Sequence, residues 1–149
     1  MQVPADSLAG RVLAAQEARR TLLTAQGLRS AADAVVAAVG QHRCGRLVAA
    51  SGSAAMVAGV AVAVADRPLE AVDASRVQPG DRVLVVEDTA VSGAKVAAVV
   101  DQVREVAPSA FVAVLILADY TCRGGLDDGW RDLVDVVVLV GSEATASAA

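Results

Sequence analysis

Two adjacent carboxylates, Glu87 and Asp88, are the residues of this chain best placed to do chemistry, because a loop of small residues follows them at once. The run 83–86 before them is continuously apolar, as in a parallel strand that is covered on both faces. Apolar residues at helical spacing start at Val96 and predict a helix after the loop. In such units ligands bind at the carboxyl end of the strand, and the helix N-terminus favours an anion. Two carboxylates beside a phosphate suit ribose hydroxyls or Mg²⁺, which takes oxygen ligands.

Residues 83–95, VLVV-ED-TAV-S-G-A-K, resemble the motif with which the type I phosphoribosyltransferases bind phosphoribosyl pyrophosphate (PRPP). The family pattern is four apolar residues, two acids, three variable residues, Ser or Thr, Gly, any residue, and a final Ser or Thr, which Lys95 replaces here. The resemblance implies that Glu87 and Asp88 are the catalytic pair and face the ribose 2′ and 3′ hydroxyls. It also implies that backbone N–H groups of the loop hold the 5′-phosphate, with the Ser92 hydroxyl and the Lys95 charge added. The candidate phosphate-binding residues are Thr89, Ala90, Val91, Ser92, Gly93 and Lys95.

A second loop of small residues, Ser51-Gly52-Ser53, follows a strand predicted near 46–50 and precedes an alanine-rich helix that reaches about residue 65. The family resemblance implies that this loop holds the pyrophosphate of PRPP. Ser-Gly-Ser is equally an ordinary turn and helix cap. The main motif also has a plain structural interpretation, a strand-to-helix turn capped by Ser92 with solvated acids. Both interpretations stay open at this stage.

The segment before residue 44 predicts two helices. Ser7 or Asp6 caps the first, Gly27 ends it, and Arg19 and Arg20 lie on its solvated side. Ser30 opens the second helix and Gly40 ends it.

The rest of the chain alternates strands and helices, with further strands at 111–117 and 134–140 and a short edge strand within 69–77. This order predicts a three-layer α/β fold with a parallel sheet, and the family resemblance makes it a phosphoribosyltransferase-like (Rossmann-like) fold. We expect one domain over 1–141, with N-terminal helices in 1–44, an α/β core in 46–140 and a disordered tail at 142–149. Tyr120, at the end of a strand, is a candidate to stack on a base. Trp130 is either a second stacking residue or a core anchor, and Arg123 meets a ligand or is solvated.

Composition narrows the classes of function. The chain has 149 residues, a net charge of −4 and no arginine run, which argues against a nucleic-acid partner. The longest apolar run, 54–65, is too short to cross a bilayer, so no membrane role is expected. The N-terminus does not resemble a signal peptide and the two cysteines form no CxxC pair, so we expect a cytoplasmic protein. His42 and Cys44 offer too few ligands for a metal site.

Two departures from the family pattern bear on activity. Active members carry a long flexible hairpin that closes over PRPP, but here the interval 66–81 leaves no room for one and has only Arg67 and Arg76 as cations. Without that lid, water is excluded less well and the leaving pyrophosphate receives less charge stabilisation. The second departure is Val91, which stands where members that act on 6-oxopurines have Asp. Together with the Glu-Asp order, it points to the orotate branch, shortened and with a minimal hood.

Two functional hypotheses follow from the resemblance. In the first, the protein is an enzyme of nucleotide metabolism that binds Mg²⁺-PRPP, or a nucleoside 5′-monophosphate, and transfers the phosphoribosyl group to a nitrogenous base with release of pyrophosphate. An orotate-like pyrimidine is favoured as the base, and Mg²⁺ arrives with PRPP rather than on a protein site of its own. In the second, the protein is a non-catalytic PRPP-binding or nucleotide-binding regulatory module or an inactive partner subunit. The apolar helices of a small chain also suggest a homodimer.

Overall fold

The structure is a computed structural model that describes residues 3–120 and 129–140. Four α-helices and five β-strands make up this part, together with short 3-10 turns at Ala74–Arg76 and Gly129–Leu133. The helices are α1 (Leu8–Leu22), α2 (Ala25–His42), α3 (Gly52–Val64) and α4 (Ala94–Val106). The strands are β1 (Arg46–Ala49), β2 (Glu70–Ala71), β3 (Arg82–Ala90), β4 (Phe111–Asp119) and β5 (Val136–Leu139).

The strands form one sheet in the order β2-β1-β3-β4-β5, and every described pairing is parallel. The predicted three-layer α/β fold is therefore confirmed. The predicted edge strand is also present, as the two-residue strand β2. Residues 65–81 are all described, and they contain β2 and a 3-10 turn but no long hairpin.

The alternation of side chains along β3 explains why the motif strand is apolar throughout. Leu84 and Val86 point into a core formed with α2 and α3, whereas Val83 and Val85 point into a second core formed with α4. All of these side chains are fully buried, since a central strand with helices on both faces has no solvated side.

The strand order places a topological switch point between β1 and β3. The chain leaves β1 through α3 and moves to the edge strand β2, whereas it leaves β3 through α4 and moves the other way, to β4. The two connecting helices pack on opposite faces of the sheet, so their N-termini separate and leave a crevice between the ends of β1 and β3. The Ser51–Ser53 loop and the Glu87–Asp88 pair both lie at this crevice.

The predicted boundaries of the N-terminal helices are wrong. The first helix ends at Leu22, and α2 begins at Ala25 because the Thr24 hydroxyl accepts the N–H of Gly27, so Ser30 lies inside α2. Gly27 does not end a helix but lets two helices approach, since a Cβ there would stand 2.3 Å from the carbonyl oxygen of Thr21. Gly40 lies within α2, which continues to His42 and ends at Arg43 in the left-handed region (φ 56°).

Several other predicted residues can now be placed. Trp130 is 3% exposed and packs in the core on the α4 side, so it is an anchor of the core rather than a stacking residue. Cys44 is a buried free thiol, and burial raises its pKa to about 11. Arg123 and the predicted disordered tail at 142–149 lie outside the described residues. No helix in the described ranges is both long enough and apolar enough to cross a membrane.

Candidate functional site

The two carboxylates of the motif lie within β3 and not beyond its end. The sequence predicts a strand over 83–86, but β3 continues to Ala90 and pairs Thr89 with Ala118 and Ala90 with Asp119 of β4. Glu87 is 2% exposed and Asp88 is fully buried. The idea of solvated acids at a strand end is therefore wrong for this conformation, because further strand pairing and the neighbouring loop cover both groups.

The loop after β1 supplies hydroxyl partners for both carboxylates. The Ser51 hydroxyl donates to Glu87 Oε1 at 2.7 Å and lies 3.4 Å from Asp88 Oδ1. The Ser53 hydroxyl donates to Asp88 Oδ2. Ser51 also caps α3 by accepting the N–H of Ala54 at 3.2 Å, so this loop is both a helix cap and a wall of the site. The structure thus brings the Ser51–Ser53 loop to the acid pair of the motif, whereas none of its three residues lines the cavity at the loop after β3.

Arg19 of α1 is the site residue that sequence reasoning missed. Its Nε donates to Asp88 Oδ2 at 3.0 Å, and its Nη2 donates to the Thr89 hydroxyl at 2.7 Å. The prediction of a solvated side is therefore wrong for Arg19, whereas the adjacent Arg20 is exposed and pairs with Glu17. The signal was hard to see, because the buried residue one turn before Arg19 is Ala15, a small side chain in an alanine-rich helix.

The two carboxyl groups are driven to opposite protonation states. Burial raises the pKa of Glu87 to about 7, and the hydrogen bond and negative charge of Asp88 contribute in the same direction. Burial acts on Asp88 as well, but hydrogen bonds from Glu87, Ser53, the Thr89 N–H and Arg19 outweigh it and lower the pKa of Asp88 to about 2. Asp88 is therefore the ionised member of the pair and Glu87 the group that holds a proton near neutral pH.

The loop between β3 and α4 has the form of an anion site. Gly93 is the N-cap of α4 at φ 83°, a left-handed conformation that suits glycine, and the Ser92 hydroxyl accepts the Ala94 N–H at 3.2 Å. The loop borders a cavity of about 160 Å³. Arg19 and Lys95 bring positive charge to its lining, so the cavity combines a helix N-terminus with two cations. Its lining residues are Arg19, Glu87, Thr89, Ala90, Val91, Ser92, Gly93, Ala94, Lys95 and Val96.

Tyr120, the predicted stacking residue, lies directly after β4 and is half-buried. Its backbone N–H donates to the Ala90 carbonyl at 2.8 Å, and its carbonyl accepts from Arg11 Nη1 at 3.2 Å. These contacts tie the end of β4 to α1 on one side and to β3 on the other. A role for the Tyr120 ring in stacking on a base stays a prediction.

The donor set around the acids fits a metal ion that arrives with a phosphate ligand. Only Glu87 and Asp88 supply carboxylate oxygens there, and no group of three or more His, Cys, Asp or Glu residues comes together within 3–120 and 129–140. Mg²⁺ is commonly held by one or two carboxylates together with substrate phosphates and water. Such an ion would supply positive charge at a bound pyrophosphate.

Comparison with known proteins agrees with this fold. The fold is that of the type I phosphoribosyltransferases, and the chain aligns with solved structures of several of them. Orotate phosphoribosyltransferase from Aeropyrum pernix is 24% identical, with a TM-score of 0.62 over 85% of this chain and 77% of that one. The Mycobacterium tuberculosis H37Rv orotate phosphoribosyltransferase in complex with inorganic phosphate is 23% identical, with a TM-score of 0.64 over 87% and 79%.

The likeness extends to enzymes named for other bases. Adenine phosphoribosyltransferase from Thermoanaerobacter pseudethanolicus is 11% identical, with a TM-score of 0.63 over 82% of this chain and 84% of that one. No protein-family model matches the chain, and no curated protein matches it. The comparisons therefore establish the fold.

Proposed function

We propose that this protein binds a 5-phosphoribosyl ligand, PRPP or a nucleoside 5′-monophosphate, and transfers the phosphoribosyl group to a nitrogenous base with release of pyrophosphate. The observation that carries the proposal is the cavity at the N-terminus of α4, where an anion-binding loop and two cations adjoin a buried carboxylate pair. A simple phosphate site would gain nothing from two acids, since carboxylates repel a phosphate. Ribose hydroxyls, by contrast, donate hydrogen bonds to carboxylates.

Each part of the site has a role in this proposal. The 91–93 loop and Lys95 hold the 5′-phosphate, and the carboxyl group of Glu87 and the ionised carboxylate of Asp88 orient the ribose. Ser51, Gly52 and Ser53 hold the pyrophosphate together with the Mg²⁺ that PRPP carries. The reaction passes through an oxocarbenium-like state, so positioning and charge stabilisation are the main contributions asked of the protein.

Ribose can reach the acids only if their present partners move. Asp88 is fully buried under Arg19, Ser53 and the strand itself, so the ribose hydroxyls must take over contacts that these side chains now make. Arg19 is 39% exposed and sits on a helix that packs on the outside of the sheet, which makes it the partner that is easiest to displace. We therefore place the opening of the site at α1.

A second function, a non-catalytic binding module, is favoured by the interval before β3. Residues 65–81 hold no long hairpin, and Arg67 lies against Gly40 of α2, with its Nη2 3.5 Å from the position of a Cβ there. Arg76 closes a 3-10 turn capped by Asp73. No described hydrogen bond or ion pair joins either cation to the Ser51–Ser53 loop, and Arg67 pairs with Asp66, so neither cation of this interval supplies charge to a leaving pyrophosphate in this structure.

Calorimetry with Mg²⁺-PRPP tests the proposal. We expect micromolar binding that Asp88→Asn abolishes and that Asp101→Asn, an equal charge change on the exposed side of α4, leaves intact. A screen of bases for pyrophosphate release then separates the two functions, because the binding module takes up PRPP and releases none. Absence of binding to PRPP and to every nucleoside monophosphate would refute both functions.

We also propose that the chain forms a homodimer. Leu8, Val12 and Leu13 of α1 are 62%, 37% and 54% exposed, which leaves an apolar surface on the helix that carries Arg19. Sedimentation of the wild type and of Leu8→Glu tests this assembly. A wild-type monomer at micromolar concentration would contradict it.

A further inference from the structure

A second cavity, of about 270 Å³, lies beside the carboxylate pair on the face of the sheet covered by α1 and α2. Most of its lining is apolar and comes from two helices and the end of β4: Ala18, Leu22, Ala31, Leu117 and Ala118. The hydroxyl-bearing residues Thr21 and Ser30 also line it. Small-molecule sites are typically apolar hollows with a few polar groups, and this volume suits one heterocyclic ring.

This cavity adjoins the phosphate cavity through the acid motif. Thr89 lines both hollows, Asp88 lines the second and Glu87 lines the first. The Arg19 guanidinium binds Asp88 and Thr89 and so stands where the two hollows meet. A ligand with a phosphate in the first hollow and a ring in the second would place its ribose at the carboxylates, where Arg19 now lies.

The charges around the second cavity indicate which rings it would accept. Among the described residues of its lining, Asp88 is the only ionisable one. Arg19, the neighbouring cation, lines the phosphate cavity and not this one. A ring that carried its own carboxylate would enter an apolar hollow beside a second carboxylate, with no cation among the described residues of the lining to pair with.

Building on the proposed function, we infer that the second cavity is the base site and that it takes an uncharged heterocycle in preference to an anionic one. The Ser30 hydroxyl can donate to a C=O and accept from an N–H on a ring edge, and the Thr21 hydroxyl, which donates to the Glu17 carbonyl at 3.3 Å, can accept from a ring N–H. The sequence favours an orotate-like pyrimidine as the base. This inference disfavours orotate itself, because orotate carries a carboxylate on its ring. The pyrimidine ring size remains suitable.

Uridine 5′-monophosphate and orotidine 5′-monophosphate are matched probes, since they share the ribose, the phosphate and the ring and differ by one ring carboxylate. We expect the uridine nucleotide to bind at least about tenfold more tightly, which is the cost of one poorly compensated charged group in a buried site. Ribose 5-phosphate serves as the reference without a ring. It should bind more weakly than the uridine nucleotide, because it leaves the apolar hollow unfilled.

A charge added at the rim tests the location. Ser30→Lys puts a cation beside the cavity on an exposed position of α2, and it should reduce the preference for the uridine nucleotide at least fivefold. The control Gln41→Lys adds the same charge to the same helix eleven residues later, about 16 Å along its axis. It should leave the preference unchanged.

The outcomes separate the two proposals. Failure of PRPP and of both nucleotides to bind refutes the proposed function and this inference with it. Binding of ribose 5-phosphate with equal or tighter binding of the orotidine nucleotide refutes the neutral-base inference alone. A preference for uridine that Ser30→Lys and Gln41→Lys leave equally intact refutes the assignment of the base to this cavity.

Discussion

Removing the Arg19 side chain should reveal how strongly α1 is held to the acid pair. In Arg19→Ala, the ionised Asp88 loses a 3.0 Å charged hydrogen bond and Thr89 loses a 2.7 Å one. Breaking a fully buried pair costs about 3–5 kcal/mol, whereas an exposed pair is worth at most about 1 kcal/mol. Asp88 is buried but Arg19 is 39% exposed, so we expect a loss of about 2 kcal/mol in the free energy of unfolding. For a chain of this length that is about 4–8 °C in Tm.

Urea and thermal denaturation at pH 7 measure this loss, and Arg20→Ala is the matched control. Arg20 is the next residue on the same helix, but it and its partner Glu17 are exposed, so its removal should change stability by less than about 0.5 kcal/mol. In an Asp88→Asn background, the further change Arg19→Ala should cost much less than in the wild type. Equal losses for the two arginine variants would refute the placement of Arg19 on Asp88.

The pH dependence supplies a second check on the same pair. The pKa of Asp88 in the folded state is lowered to about 2, below its ordinary value of about 4 in an unfolded chain. A lowered carboxyl pKa contributes stability that is present above the unfolded value and is lost as the pH falls through the folded value. The difference between wild type and Arg19→Ala should thus be complete at pH 6 and shrink between about pH 4 and 2. A difference that stays constant down to pH 2 would contradict the ion pair.

Three more predictions rest on single residues. Glu87→Gln should stabilise the protein more at pH 8 than at pH 5. Burial raises the pKa of Glu87 to about 7, so the stability of the wild type falls as the pH rises through that value. Equal effects of the substitution in urea denaturation at the two pH values would contradict this prediction. Gly93→Ala should cost about 1–2 kcal/mol and weaken the binding of inorganic phosphate, because it forces alanine to φ 83°. Its control Gly59→Ala, within α3 and with open space at its Cβ, should gain stability instead, and a Gly93→Ala protein as stable as wild type would refute the strain. The fluorescence of Trp130, the chain's single tryptophan, should have a short emission wavelength and should not change when a nucleotide binds. The reason is that Trp130 is 3% exposed and lies in the core on the α4 side. Quenching of this fluorescence by the base would contradict that placement.

Local sequence patterns were sufficient to predict the sheet and the motif. The apolar run in β3 is continuous because both of its faces meet helices, and a run of that kind predicts a covered parallel strand without knowledge of its partners. The loop from Val91 to Gly93 is equally local, since a left-handed glycine before a helix follows from residue type. The small-residue loop Ser51–Ser53 was identified for the same reason, although its sequence did not distinguish a cap from a site.

Only the tertiary structure decided how the acid pair is held. Arg19 reaches Asp88 across 69 residues of sequence, and a long-range contact of this kind leaves no mark on helical periodicity. The helix boundaries near Gly27 were predicted wrongly for a similar reason. This glycine is required by the close approach of a neighbouring helix and does not mark a helix end. The opposite protonation tendencies of Glu87 and Asp88 also depend on burial and on hydrogen bonds from three separate segments. The sequence thus identifies the residue types that can do the chemistry. Their exposure, partners and charge states are set by helices, strands and loops that come into contact only in the folded chain.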